Sequence, residues 1–294
     1  MFSLDDFRPV SLDDLDIIRD HYRKFPPEHS DYLHGIMYTW KEFMTYKVLM
    51  RGEHLFILGE HEGHRYLRPP VGPRDKKVYS DLLELASSHG LDPKISMIGK
   101  QTRDWMEGEF ADLTFEPHRD YFDYVYLASD LVDLPGKDYL KVRNYLNKFR
   151  KNNEYSVEPI SRDNLPETRD FLIRWCEQKG CEEEPFLLHE RQATMNAIDH
   201  FIELGLEGMV IRVDGRIEAL SIFEEMGPDI AVIHYEKANF EIVGLYQAIN
   251  NEAARILRNR YTYIDRESDM GEEGLRRAKM KYRPHHMLEI YHAR

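Results

Sequence analysis

The chain has 294 residues and a formal charge of −13 at pH 7, with 42% hydrophobic and 32% charged residues. This composition is typical of a folded protein with a substantial core, and it excludes extended disorder. The acidic balance argues against attraction of the whole surface to nucleic acid or anionic lipid, so phosphate contacts must come from a local basic patch. The length allows two domains of ordinary size, which is the division we favour.

No secretory or membrane-spanning segment is predicted. The amino terminus, MFSLDDFRPV, has acids where a secretory signal has a basic start and an apolar run. No later stretch approaches the roughly 20 apolar residues of a transmembrane helix. Cys176 and Cys181 lack the further cysteines of a metal set, so we interpret them as buried, inert thiols and infer no disulfide framework. We therefore expect a cytoplasmic protein.

The first half mixes short helices and strands. Its predicted elements are, in chain order, a helix that begins with the S-x-x-D pattern of residues 11–14 and ends before Pro26, strands at 54–57 and 65–67, a helix at 77–88, a strand at 95–98, a helix at 101–107 and a strand at 124–127. His61 and His64 lie in the loop between the first two strands. Their H-E-G-H spacing is not the helical H-E-x-x-H pattern of a zinc site, so no metal is predicted.

A basic segment, KDYLKVRNYLNKFRK, follows at residues 137–151 and carries one acid among six basic residues. Two interpretations are open. The segment is a solvated helix that links two domains, or it is a basic surface for phosphates or an RNA backbone. In the second case the nucleic-acid-binding side chains are Lys141, Arg143, Lys148, Arg150 and Lys151.

The second half reads as two helices, a three-stranded antiparallel meander, and then alternating helix and strand. Its predicted elements are helices at 164–178 and 187–204, strands at 208–213, 216–225 and 230–237, a long helix over 242–257 and a strand at 261–265. Asp214-Gly215 suits the positive φ angles of a two-residue hairpin turn. This order of elements is that of an α+β protein.

The segment after the last of these strands predicts a capped helix. Asp269 followed by Glu272 has the spacing of a capping box, so we expect a helix to begin there and to stop at Pro284. Gly271 and Gly274 would then lie on one face of it. Because glycine costs roughly 1 kcal/mol in a helix, we expect another element or a ligand to approach that face closely.

Three stretches carry a resemblance to a known family: YIDRESDMGEEGLRRAKMKYRP, IHYEKANFEIVGLYQAINNEAAR and KDYLKVRNYLNKFRK. They resemble bacterial proteins similar to the C-terminal domain of phosphatidylglycerol lysyltransferase, related to the Fem-type transferases. The resemblance implies two tandem GNAT-like acyltransferase domains, each with a mixed, mostly antiparallel sheet flanked by helices. We place them at residues 1–136 and 154–294, joined by a basic linking helix at 137–153.

The same resemblance implies an acyltransferase that takes an aminoacyl group from aminoacyl-tRNA and passes it to a lipid or small-molecule acceptor. A GNAT enzyme that uses acetyl-CoA holds the pyrophosphate in a glycine-rich loop at a helix N-terminus. Here the corresponding residues, 237–244, offer only Gly244. This departure weakens a CoA interpretation. An acyl-CoA-dependent N-acyltransferase and a non-catalytic binding module remain the alternatives.

Acyl transfer needs a base, a proton donor and groups that orient the substrates. The candidate catalytic residues are Asp265, Glu225 and Tyr246. The candidate substrate-binding residues are Arg266, Glu267, Glu236, Asn239, Gly244, Gln247, Lys279 and Arg283. Structural roles compete with these: His234 as a packed sheet residue, Tyr246 as part of an apolar stripe, and ion pairs between Asp265 and Arg283 or between Arg266 and Glu267.

Overall fold

The computed structural model describes residues 3–294. Two compact units are present, and neither is a continuous stretch of sequence. Unit 1 comprises the described residues up to Asp123 with Ser268–Glu272 and Met287–Arg294, and unit 2 comprises Tyr124–Glu267 with Glu273–His286. The boundaries inferred from the sequence at 136 and 154 stay a prediction.

The helices fall in both units. In chain order they are α1 (Leu15–Lys24), α2 (His34–Thr39), α3 (Lys76–Ser88), α4 (Lys100–Glu109), α5 (Ala128–Asp133), α6 (Leu140–Asn152), α7 (Leu165–Lys179), α8 (Pro185–Asp199), α9 (Leu245–Leu257) and α10 (Glu273–Met280). The predicted N-terminal capping box is confirmed, because the Ser11 N–H donates to the Asp14 carboxylate at 2.8 Å.

The strands form three sheets. In chain order they are β1 (Arg8–Pro9), β2 (Thr45–Arg51), β3 (His54–His61), β4 (His64–Leu67), β5 (Ile95–Gly99), β6 (Phe115–Pro117), β7 (Asp123–Leu127), β8 (Tyr155–Pro159), β9 (Glu207–Val213), β10 (Arg216–Gly227), β11 (Ile230–Ala238), β12 (Tyr263–Asp265), β13 (His286–Leu288) and β14 (Ile290–Ala293).

Unit 1 contains a four-stranded sheet in the order β1-β2-β3-β4 and a three-stranded sheet in the order β5-β14-β6. Its core includes Phe56, Leu82, Ile98 and Met106, all buried. The strands of the predicted first hairpin are confirmed, and β3 and β4 extend further toward the turn than the sequence pattern indicated.

Unit 2 is built on sheet strands in the order β7-β12-β11-β10-β9-β8. The predicted meander of β9, β10 and β11 is confirmed. Asp214 and Gly215 both have positive φ, at 51° and 81°, as the hairpin turn requires. Helices α7 and α9 pack against β10 and β11, which buries Phe171 and Ile249 in the core of the unit.

Each unit takes one strand from the opposite half of the sequence. Near the C-terminus, β14 pairs with β5 and β6 in unit 1. Tyr124–Leu127 of β7 belongs to unit 2, where β7 pairs with β12. The predicted alternation of helix and strand ends in a strand, and β13 and β14 follow α10. The pairing of β14 between β5 and β6 was not predicted, because a short strand carries no signal of its partners.

The predicted start of the last helix is wrong. Met270 and Gly271 have φ angles of 50° and 81°, which no right-handed helix contains. The Asp269 carboxylate accepts the Gly271 N–H at 3.0 Å and so closes a turn before the helix. The helix begins at Glu273. At Gly274 a Cβ would have no atom of the described chain within 4 Å, so no other protein element approaches closely there.

The interpretation of the cysteines as free thiols is wrong as well. Cys176 and Cys181 are buried and form a disulfide, with their Cα atoms 5.2 Å apart. Gly180, in the left-handed conformation at the end of α7, turns the chain back so that the second cysteine meets the first.

Candidate active site

Two irregularities of the unit 2 sheet coincide at the middle of β11. Its parallel pairing with β12 ends at Val232 opposite Asp265, while β11 itself continues to Ala238. On its other edge, the register with β10 shifts between the Ile222–Tyr235 and Phe223–Ile233 pairs, which leaves His234 as the extra residue of a β-bulge. Bulges and separating strands re-aim side chains and are common beside active sites. This is the candidate site.

His234 lies between two carboxylates. Its Nδ1 is 2.6 Å from Glu267 Oε1 and its Nε2 is 2.9 Å from Glu224 Oε1. Burial alone opposes the charged imidazole, but the hydrogen bonds and charges of the two glutamates outweigh it and raise the pKa of His234 to about 10. At neutral pH this cluster is an imidazolium held by two carboxylates. It carries a net negative charge, which favours a cationic group in its neighbourhood.

Arg266 forms a second cluster directly after β12. Its guanidinium pairs with Glu236 at 2.8 Å and lies over the rings of Tyr126 and Tyr282. With its amide oxygen turned to the guanidinium, Asn250 of α9 accepts from Arg266 at 3.2 and 3.3 Å. Arg266 thus pairs with Glu236, and Arg283 is paired with Asp138 at 3.7 Å.

Asp265 is fully buried at the end of β12. Its Oδ1 accepts the backbone N–H of Glu267 at 2.7 Å, which forms an Asx-type turn. Glu267 itself has a φ of 58° and keeps 27% of its side chain exposed. Asp265 therefore positions the turn that aims the Glu267 carboxylate at His234.

The other two candidate catalytic residues have different surroundings. Glu225 is exposed and accepts the Tyr261 hydroxyl at 3.1 Å. The Tyr246 hydroxyl accepts from the Trp175 indole at 3.3 Å, and burial raises the pKa of this phenol, so it is protonated at neutral pH. Lys237, at the end of β11, pairs with Glu190 at 2.6 Å over the Trp175 ring.

The remaining candidate substrate-binding side chains all make local contacts. The Asn239 side-chain amide donates a hydrogen bond to the Glu218 carboxylate at 2.9 Å. The Gln247 side chain forms a hydrogen bond with the Tyr282 hydroxyl. Lys279 donates to the Arg266 carbonyl and its own carbonyl accepts from Tyr126. Arg266, Glu236, Gln247 and Lys279 are thus brought together around Tyr282 and Tyr126, whereas Arg283 is exposed.

Gly244 precedes α9 with a φ of 89°, and it is covered by α6. A Cβ at this position would lie 2.2 Å from the carbonyl oxygen of Tyr145 and 3.0 Å from the Cβ of Phe149. The glycine is therefore required by its conformation and by the close approach of a helix backbone. The residue that precedes α9 therefore packs directly against the backbone of α6.

The basic residues of α6 divide into two groups. Arg143 donates to the carbonyl oxygens of Leu134 and Gly136, and Arg150 binds Asn251 and Glu252 at 2.8 and 2.7 Å. These two arginines fasten the helix to its own unit. The side chains of Lys141, Lys148 and Lys151 are exposed.

Metal-binding clusters and membrane-spanning helices are both absent from the described residues. Within residues 3–294, no cluster of three or more His, Cys, Asp or Glu side chains is arranged to hold a metal ion. Among the helices of the same residues, none is both long enough and apolar enough to cross a membrane.

Residues 22–294 match the family model described as phosphatidylglycerol lysyltransferase, C-terminal. The chain belongs to this family. The family resemblance inferred from the sequence is confirmed, and family and fold together support an acyltransferase-type function.

Solved structures and one curated relative are similar to this family member. A conserved protein of unknown function from Bacteroides thetaiotaomicron is 31% identical, with a TM-score of 0.90 and 98% of each chain covered. The C-terminal domain of a putative lysylphosphatidylglycerol synthetase from Agrobacterium fabrum is 15% identical, with a TM-score of 0.66 over 96% of this chain and 92% of that one. FemX is 11% identical, with a TM-score of 0.57 over 97% and 96%.

The curated relative is an uncharacterised protein of Mycoplasmoides gallisepticum, 25% identical over 177 residues. The match covers 59% of this chain and spans 56% of the relative's length. The structural likenesses establish the fold, an α+β protein of two tandem GNAT-like domains with mostly antiparallel sheets flanked by helices.

Proposed function

We propose that this family member transfers an aminoacyl group from aminoacyl-tRNA to a lipid or small-molecule acceptor in the cytoplasm. The observation that carries the donor assignment is the contact between Gly244 and the backbone of α6. Because α6 packs against Gly244 and only one glycine precedes α9, we take this helix start to be unsuited to the pyrophosphate of an acyl-CoA. The covering helix presents Lys141, Lys148 and Lys151 outward, which suits a larger polyanionic donor.

The candidate site supports binding of an amino group. Glu224, His234 and Glu267 together carry a net negative charge, because only the imidazole of the three is cationic. Glu267 is the more exposed of the two carboxylates. An ammonium group of an aminoacyl ester or of an amine acceptor would therefore be drawn to Glu267.

The transfer step needs one proton removed and one proton supplied. We assign the base to Glu267, which takes the proton of the acceptor's amine or hydroxyl as that atom attacks the ester carbonyl. The new acyl bond forms, the bond to the ribose 3′ or 2′ oxygen breaks, and that oxygen takes the phenol proton of Tyr246. Beyond Val232, the β11 edge that has parted from β12 offers backbone N–H groups to the developing oxyanion.

Asp265 and His234 act as positioning residues in this scheme, whereas Arg266 contacts the substrate. Asp265 holds the turn that carries Glu267, and His234 holds the Glu267 carboxylate in place. The Arg266 guanidinium is fixed by Glu236 and Asn250 at the end of β12. A planar guanidinium so fixed suits an ester or phosphate oxygen at the acceptor end of tRNA.

The test is a transfer assay with a pool of tRNA charged with labelled amino acids. The acceptor is supplied either as vesicles containing phosphatidylglycerol or as a mixture of soluble amines and alcohols. We expect label to leave tRNA for one acceptor class. Glu267→Gln and Tyr246→Phe should each lower kcat by about 10²–10⁴-fold, while Glu273→Gln on exposed α10 should not. Transfer from acetyl-CoA in preference to aminoacyl-tRNA would contradict the proposal.

A further inference from the structure

The exposed face of α6 has a regular pattern with one aromatic residue in it. Lys141, Tyr145 and Lys148 follow one another at i, i+4 and i+7, so they lie in one line along the helix. Lys151 extends that line by a further turn. Tyr145 is 41% exposed, so its ring is accessible on this face.

The orientation of this face is fixed by the opposite side of the helix. Val142, Leu146 and Phe149 repeat the same spacing and are buried. Arg143 and Arg150 add hydrogen bonds to neighbouring segments of unit 2. The lysines and Tyr145 therefore point outward as a consequence of packing.

The backbone of α6 contacts the residue that precedes α9. The carbonyl oxygen of Tyr145 is the atom that a Cβ at Gly244 would strike first. Gly244 immediately precedes α9, and α9 carries Tyr246 and Asn250 of the candidate site. A ligand bound along the line of lysines would therefore lie on the helix whose backbone packs against the start of α9.

We propose that Tyr145 is the stacking platform for an unpaired base at the 3′ end of an RNA, with Lys141 and Lys148 on the adjacent phosphates. This inference rests on the proposed function and names the part of the donor that the surface recognises. Exposed aromatic rings between cationic side chains bind single-stranded nucleic acid by base stacking, without reading sequence. The charges agree, because α6 contains no acidic residue in a chain whose net charge is −13.

The experiment uses the full chain and two labelled RNA hairpins, one with a single-stranded 3′ extension and one trimmed to a blunt end. Binding is followed by fluorescence anisotropy over a range of salt concentrations. The wild-type protein should prefer the extended hairpin. Tyr145→Ala should weaken binding of the extended hairpin roughly tenfold, while Tyr145→Trp should retain it. Leu140→Ala, at another exposed apolar residue of α6, should leave the preference unchanged.

Variants of the lysines distinguish the contribution of base stacking to RNA binding from the contribution of charge. Lys148→Ala should weaken both hairpins alike and reduce the slope of log affinity against log salt by about one. Tyr145→Ala should leave that slope unchanged. If the wild type binds RNA but Tyr145→Ala keeps the full preference for the extension, the inference fails and the proposed function survives. If the wild type binds anionic vesicles and neither hairpin, the inference fails together with the tRNA donor.

Discussion

Arg266 and Glu236 form an ion pair of 2.8 Å beside the point where β11 and β12 stop pairing, and both side chains are largely buried. Removing one partner of a buried pair leaves an uncompensated charge, which costs about 3–5 kcal/mol. We therefore expect Arg266→Ala to lower the free energy of unfolding by an amount in that range, as measured by urea denaturation.

The matched control for this variant is an ion pair on the surface. Arg277 and Glu273 of α10 are 2.8 Å apart, and both are mostly exposed. Because exposed pairs contribute about 0–1 kcal/mol, Arg277→Ala should change stability little. The double variant Arg266→Met with Glu236→Gln should recover much of the loss. Equal effects of Arg266→Ala and Arg277→Ala would show that the first pair is not buried.

His234 should make stability depend on pH above neutrality. Its folded-state pKa of about 10 exceeds the ordinary histidine value of about 6.5, so the folded protein binds the proton more tightly than the unfolded chain. The stabilisation is complete below about pH 6.5 and is lost as the pH rises through about 10. The stability difference between wild type and His234→Gln should therefore shrink over this interval. A difference that stays constant with pH would contradict the paired imidazolium.

Two glycines allow the energetic cost of backbone conformation to be measured separately from the cost of close packing. Gly215 and Gly244 both have positive φ, but a Cβ would meet nothing within 4 Å at Gly215 and the Tyr145 carbonyl at Gly244. Gly215→Ala should cost about 1–2 kcal/mol, from the left-handed conformation alone. Gly244→Ala should cost more, because α6 must also move. Thermal unfolding of the two variants measures the difference, and equal losses would mean that α6 does not press on Gly244.

The disulfide between Cys176 and Cys181 closes a short loop. Constraining so short a loop in the unfolded chain is worth about 2 kcal/mol. Dithiothreitol should lower the unfolding midpoint of the wild type in urea. It should have no effect on the double variant Cys176→Ala with Cys181→Ala. If dithiothreitol left the unfolding midpoint of the wild type unchanged, the result would contradict the presence of the disulfide.

The exchange of strands bears on the domain boundaries. Residues 1–136 lack β14, which lies between β5 and β6 in unit 1. Residues 154–294 lack β7, which pairs with β12 in unit 2. Each half would leave strand edges unpaired in the middle of a sheet. We expect neither half to give a cooperative unfolding transition when expressed alone. Two independently folding halves would support the boundaries inferred from the sequence.

Local chemistry explains which features could be predicted from the sequence. The Asp214-Gly215 turn and the Ser11–Asp14 box depend on a few neighbouring residues, so their patterns were sufficient. The start of α10 was misplaced because Asp269 caps a turn with the same spacing that a helix cap has.

The candidate site depends on tertiary pairing, which no local pattern encodes. Glu236, Arg266 and Glu267 were predicted as site residues because polar residues at strand ends draw attention, and their roles stay a prediction. The place of His234 between two glutamates could not be predicted, because its bulge exists only through the register of β10 against β11. Gly244 was interpreted as a remnant of a phosphate loop, and its contact with Tyr145 needed the structure. Arg143 and Arg150 carry the same charge as the lysines of α6, so the sequence could not distinguish them. Only the structure shows that the two arginines bind neighbouring segments while the lysines are exposed.

The most direct test of the central claim is the affinity of the protein for aminoacyl-tRNA, for the same tRNA without its amino acid and for acetyl-CoA, all at one salt concentration. Matched salt is essential because phosphate contacts weaken as ionic strength rises. We predict tightest binding to aminoacyl-tRNA, with the preference for the charged form lost in Glu267→Gln. Saturable binding of acetyl-CoA with no preference for charged tRNA would contradict the account.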